Sequence, residues 1–348
     1  FINDNWRVRS NLTINAGLRY ELYGVAQNTA PFPAFCGFGV PLLTRCEVNR
    51  DKNNFAPRFS FAYDLAGDDG DKLILRGGAG VHYDLGQEFA ADAFVDSVPF
   101  LSGTSTAGSA VLPASGALPF INFDPHLKLP YTLSWNVSLQ RELGTKQNIS
   151  AAYVASVGRR LLSTQTLFDA DPQSPFLRFI SNRAESDYRS LQVQFDRRLG
   201  DGLKTLVSYT WARSTDNATR DNARRILFAS DDPEADRGPS DFDVRHTLNG
   251  FLSYELPAPF AHGLGNKTFR NWIVEPMFTA RSAKPVNVLF GFPTTYGFAY
   301  VRPNVIDGEP FYLLDPTAGG GRRINSVAFV LPTTLEQGKL SRNSLRGF

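Results

Sequence analysis

The feature that most limits what this chain can fold into is a strict two-residue alternation. From Tyr131 to Gln140 the odd positions are Tyr131, Leu133, Trp135, Val137 and Leu139, and the even positions are Thr132, Ser134, Asn136, Ser138 and Gln140. Successive side chains of a strand point to opposite faces of its sheet, so this period reads as a strand with one apolar and one polar face. The same pattern recurs along the chain. Leu12, Ile14, Ala16, Leu18, Tyr20 and Leu22 alternate with Asn11, Thr13, Asn15, Arg19 and Glu21. Asp4–Ser10 carries the same phase through Trp6 and Val8, so it extends this segment into one long strand. Further strands are expected in "NFAPRFSFAYDL", "DKLILRGGAGVHYD", "NISAAYVASVG", "SLQVQFDRRL", "LKTLVSYTWAR", "DVRHTLNGFLSYEL" and "NWIVEPMFTAR". That makes about nine strands, each near or above the 9–11 residues that cross a bilayer at a tilt.

The connections carry the second signal. Long links at about 24–53, 85–130, 160–186 and 214–240 alternate with the shorter "AGDDGD", "GTKQ", "GDG" and "PAPFAHGLGNKTFR". In an up-and-down barrel every second connection lies on the same side, so one rim carries turns and the other carries large loops. A soluble β-sandwich has no reason to sort its connections in this way. The long links are rich in Gly, Pro, Ser and Asp, as in "LSGTSTAGSAVLPASGALP" and "SDDPEADRGPSD", and read as loops. Tyr20, Tyr63, Tyr83, Tyr131, Trp211 and Tyr254 lie near strand ends, where an outer-membrane barrel carries its aromatic girdles. The apolar face then meets lipid and the polar face meets a wide lumen.

Composition narrows the function classes. No stretch approaches the roughly 20 apolar residues of a membrane-spanning helix, which leaves a barrel untouched. Lys and Arg total 36 against 34 Asp and Glu, and no basic run is dense enough to follow a phosphate backbone, so nucleic acid is not an expected partner. The four histidines lack metal-ligand spacing and no nucleophile elbow is present, so neither a metal, a cofactor nor an enzyme is expected. The carboxylates of 231–243 lack the spacing of a calcium loop and read as a solvated acidic segment. The glycines of "LRGGAG" lie inside a strand pattern and read as sites of curvature or close approach. Cys36 and Cys46 form a candidate loop disulfide, with two free thiols as the alternative.

In matching order, "NLTINAGLRYE", "NNFAPRFSFAYD", "KLILRGGAGVHYD", "YTLSWNVSLQREL", "AAYVASVGRRLL", "YRSLQVQFDRRLGDGLKTLVSYTWARSTD", "DFDVRHTLNGFLSYELP" and "RNSLRGF" resemble blocks of a TonB-dependent receptor barrel, and more narrowly of the Oar-like group. The resemblance implies an all-β, antiparallel transmembrane barrel of about 22 strands with a plug in its lumen, of which this chain carries about 9–10. It implies residence in the outer membrane of a Gram-negative-type bacterium and energised import of a scarce large ligand: a siderophore, a glycan or a peptide. The partners it implies are outer-membrane lipid, the receptor's own plug and the TonB complex. On this reading 1–348 is one piece of a barrel domain, the signal peptide, plug, regulatory domain and later strands lie outside it, and Phe348 is an accidental end. A passive porin-like or adhesin-like barrel is the alternative.

The polar parity carries Arg7, Arg9, Arg19, Glu21, Arg58, Arg76, Asp196, Arg198, Arg245 and Glu255. These are the candidates for contact with the plug or with the ligand path. The loops expected to meet cargo are 85–130, 214–240 and 285–340.

Overall fold

The computed structural model describes residues 1–22, 51–67, 72–84, 120–124, 126–171, 174–198, 202–218, 226–227, 233–256, 272–294, 297–333 and 337–347. Cys36 and Cys46 lie outside the described residues. So do most of the 24–53 and 85–130 links.

The strands in chain order are β1 (Ile2–Arg9), β2 (Leu12–Tyr20), β3 (Phe55–Asp64), β4 (Leu73–Tyr83), β5 (Phe120–Phe123), β6 (Tyr131–Glu142), β7 (Gln147–Asp171), β8 (Ser174–Arg198), β9 (Leu203–Asp216), β10 (Ile226–Leu227), β11 (Gly238–Pro239) and β12 (His246–Glu255). They continue with β13 (Ile273–Val274), β14 (Met277–Arg281), β15 (Pro285–Val286), β16 (Phe290–Thr294), β17 (Gly297–Val301), β18 (Asn304–Val305), β19 (Tyr312–Leu314), β20 (Arg322–Ile324), β21 (Phe329–Val330) and β22 (Leu345–Arg346). One 13-stranded sheet runs β1-β2-β3-β4-β6-β7-β8-β9-β12; β13 and β14 both pair with β12, β11 pairs with β9, and the short β5 lies parallel to β8. Each neighbour along this path is antiparallel and next in the series of staves, so the sheet is an up-and-down wall.

Registry keeps the two faces apart across the whole wall. Leu12, Tyr63, Leu75, Leu139, Ala151, Val193, Tyr209, Leu248 and Ala280 stand opposite one another in a single row. One residue along lies the polar row Arg7, Thr13, Ala62, Arg76, Ser138, Ala152, Gln192, Thr210, Thr247 and Arg281. The apolar face is uncovered: Phe59 is 47% exposed, Val137 44%, Leu191 41% and Trp211 55%. A sheet folded in water would bury this continuous surface, whereas hydrocarbon is its natural solvent. On β9 the outward positions from Leu203 to Trp211 span about 27 Å along the strand. Tilted by about 40°, that segment rises about 21 Å and fills most of the ~25 Å apolar band of an outer-membrane barrel. Phe61 lays its ring over Gly77, where any Cβ would collide with the ring, so this glycine keeps the apolar face smooth.

Three expectations change. The first segment is not one long strand: the chain turns at Ser10–Asn11 and β1 folds back on β2, with Trp6 opposite Ile14. A register shift between Arg7 and Arg9 lets the alternation run through the turn in phase, which is why the sequence reads as continuous. The 160–186 link is not a loop but the upper part of β7 and β8, which are 25 residues each and pair up to Asp171 and Ser174. The 285–340 link is a folded unit, described below.

Candidate functional site

The inward face positions most of the polar candidates. Arg58 and His82 meet at 3.5 Å between Nη2 and Nδ1, and Arg76 donates to Gln140 Oε1 at 2.6 Å. Both contacts link neighbouring staves. Arg19 donates to Glu21 Oε2 at 3.2 Å, and Arg7 donates to the Ser10 carbonyl at 3.1 Å. Arg9 stands opposite Leu12, on the row of the apolar face, because of the register shift at the β1–β2 turn. Arg198 lies 3.8 Å from Asp196 beside a cavity of 420 Å³ that Lys204, Leu206 and Phe251 also line, near the turn rim. Glu255 is exposed at the same rim, its N–H donating to the Gly202 carbonyl at 3.1 Å. Among the described residues no group of His, Cys, Asp and Glu could hold a metal ion.

Arg245 belongs to a different arrangement, at the long-loop rim. The upper inward positions of β9 are covered: Ala212, Ser214 and Asp216 are buried, while the outward Trp211 and Arg213 are exposed. The cover comes from two stretches. In the first, β11 pairs with Thr215 and Asp216, Ser240 bonds the Ser214 hydroxyl at 2.9 Å, and Asp243 accepts the Ser214 N–H at 2.7 Å. The second is the unit from Pro285 to Gly347. It holds the two-stranded pairings β15–β22, β18–β21 and β19–β20. Its core is Ala328, Phe329, Leu340 and Leu345, with Val286, Val305, Phe311 and Ile324 packed around them. Phe311 and Phe329 stack at 5.5 Å, and Asn325 caps the turn at Ser326–Ala328 by accepting the Val327 N–H.

Two arginines pin this unit to the wall. Arg342 pairs with Asp216 and also donates to the Asp216 carbonyl at 2.7 Å. Arg346 donates to Asp243 Oδ2 at 2.5 Å and to the Asp243 carbonyl at 2.6 Å, while Arg245 donates to the same Oδ2 at 2.9 Å. Asn343 bridges Asp241 and the Pro239 carbonyl at 2.5 and 2.8 Å, and Arg302 pairs with Asp236. The Arg342 and Asp216 side chains are 3% and 5% exposed, so the pair is dry and each charge depends on its partner. Gly238 lies so close to the Arg342 carbonyl that a Cβ there would overlap it. Outside the pinned area Asp315 accepts from the Thr317 hydroxyl at 2.6 Å and from its N–H at 3.0 Å. With Arg323 nearby, these bonds hold the Asp315 carboxyl below the usual aspartate range.

Sequence reasoning treated Asp241 and Asp243 as members of a solvated acidic segment and did not single out Asp216, Arg342 or Arg346. The available signal was pairing by chemistry: two arginines spaced four apart in "RNSLRGF", and the aspartates of "DFD", the second of which opens the expected strand "DVRHTLNGFLSYEL".

What decides the family is the whole chain at once. A family model described as an outer membrane beta barrel domain matches residues 1–348. The chain belongs to this outer-membrane barrel family. The barrel wall therefore sits in the outer membrane of a Gram-negative-type bacterium, with apolar faces in lipid. Its fold is similar to that of the outer membrane transporter YddB from Escherichia coli, with a TM-score of 0.52 and 13% identity, over 84% of this chain and 35% of that one. The siderophore receptor PirA from Acinetobacter baumannii is also similar, at a TM-score of 0.44 and 11% identity over 84% and 39%. The FrpB iron transporter from Neisseria meningitidis (F3-3 variant) gives 0.43 and 12% over 80% and 36%. The chain thus spans between 35% and 39% of the length of these three proteins. No curated protein matches it in sequence.

Proposed function

We propose that the chain is part of the barrel of a TonB-dependent receptor of the Oar-like group, an importer rather than an enzyme, which takes up a scarce large ligand with energy delivered through TonB. The observation that carries this reading is the pinned unit 285–347. A passive pore needs an open mouth, whereas here a unit with its own core is fixed over the inward face at the loop rim by the dry Arg342–Asp216 pair and by the Arg346–Asp243 pair. The polar inward face supports the same reading, because Arg7, Arg19, Arg58, Arg76 and Arg198 present guanidiniums to whatever fills or crosses the lumen. The transporter fold of YddB is in keeping with it.

Uptake by cells carrying the intact gene tests the proposal. Growth of a deletion strain on a panel of iron sources, oligosaccharides and peptides identifies the ligand. Uptake of that ligand should stop when a protonophore collapses the proton gradient or when TonB is deleted. Uptake that survives both treatments makes the protein a passive porin-like barrel.

A further inference from the structure

Just above the lipid-facing band, on the outward face, Arg189 of β8 stands directly opposite Arg213 of β9. Both are exposed, and among the described residues neither has an ion-pair or hydrogen-bond partner. Like charges placed opposite each other across two strands repel. The carboxylates one step further up cannot relieve them, because Asp187 and Glu185 are already engaged by Arg159 and Arg237. One step down lies the cross-strand pair Leu191 and Trp211, the latter 55% exposed, with Tyr209 below it on the same face. The two guanidiniums therefore occupy the depth at which hydrocarbon ends and headgroups begin, on the side of the membrane that the long loops face.

We propose that Arg189 and Arg213, with Trp211 beneath them, form a headgroup site for the phosphate of an outer-leaflet glycolipid. A guanidinium offers two parallel N–H donors matched to phosphate oxygens, and one phosphate between the two arginines removes their repulsion and fills both forks. The membrane-bound source is chosen over free phosphate because the apolar band holds acyl chains against Leu191 and Trp211. The same band sets the headgroup level with Arg213 and keeps its local concentration high. The inference is independent of what the barrel imports.

The test uses the full-length protein extracted from native outer membranes in mild detergent, with bound glycolipid quantified by mass spectrometry. The double variant R189Q/R213Q should retain about tenfold less phosphorylated glycolipid than the wild type. R189K/R213K should recover part of it. R9Q/R141Q, which removes two charges at the turn-side edge, should retain the wild-type amount. Heat-modifiable migration on gels verifies that each variant is a folded barrel. Wild-type protein reconstituted with dephosphorylated glycolipid should show the same loss as the glutamine variant. Equal retention by R189Q/R213Q, indifference to dephosphorylation, or full displacement by millimolar inorganic phosphate would each overturn the proposal, the last by showing a site for free anions.

Discussion

Asp216 and Arg342 show what a single dry contact can do in a molecule whose other charges are mostly wet. Removing one member of a buried pair leaves the other uncompensated, which costs about 3–5 kcal/mol. Arg342→Ala should therefore loosen the unit 285–347 by that amount while leaving the wall intact. Hydrogen exchange should speed up in 285–347 and in β11 but not in β6 or β7. Asp315 supplies a second residue-scale prediction. Its carboxyl pKa is depressed by the Thr317 hydroxyl, the Thr317 N–H and Arg323. It therefore contributes stability that is complete above the unfolded-state value of about 3.9 and is lost as pH falls through its lowered value. Protection of the turn at 315–321 should persist at pH 5 and fade only in stronger acid, and Thr317→Val should move that loss to higher pH in an NMR titration. None of these residues was legible as a site. Alternation reports which face a side chain occupies, and neither a chelating turn nor an Asp–Arg pair 126 residues apart leaves a periodic trace.

At the scale of elements, legibility followed solvent. Tyr131–Leu139 could be read because one face meets hydrocarbon and the other water, so composition must alternate with period two. The upper parts of β7 and β8 could not, since above the membrane both faces meet water and the contrast disappears; Arg159, Asp187 and Glu185 there face the same way as Leu191 and Val193. The strands of 285–347 escaped for another reason: two- or three-residue strands such as β18, β20 and β22 are shorter than one alternating window. Two predictions belong here. Each strand of the β7–β8 hairpin has 25 residues, more than twice the 9–11 needed to cross lipid. An epitope tag inserted between Asp171 and Ser174 should be detected on intact cells, whereas a tag at Thr145 should be detected only after permeabilisation. On the lipid face, Val193→Arg should cost about 2–4 kcal/mol in barrel stability by denaturant titration. Gln192→Arg, on the opposite face of the same strand, should cost far less.

For the whole molecule, the wall separates two solvents and its connections are sorted by side. Spin labels at Leu139 and Leu191 should collide with lipid-soluble oxygen, and labels at Ser138 and Gln192 with a water-soluble nickel chelate. The reverse result would turn the sheet inside out. The architecture of the wall was open to sequence reasoning because it repeats: ten staves state the same alternation, and each adds to the evidence of the last. The cover over the upper inward face of β9 was not, because it occurs once.

That cover has a consequence for how the protein is made. Outer-membrane proteins reach their bilayer from the periplasm, so residues 285–347 cross it before they can rest on the far side. A packed knot of Phe329, Leu340 and Leu345 with charged arginines around it cannot pass through hydrocarbon as a body. It has to travel as thread and knot itself afterwards against Asp216 of β9 and the stretch from Asp236 to Asp243. The order of assembly is then written in the geometry, with staves first and the pinned unit last.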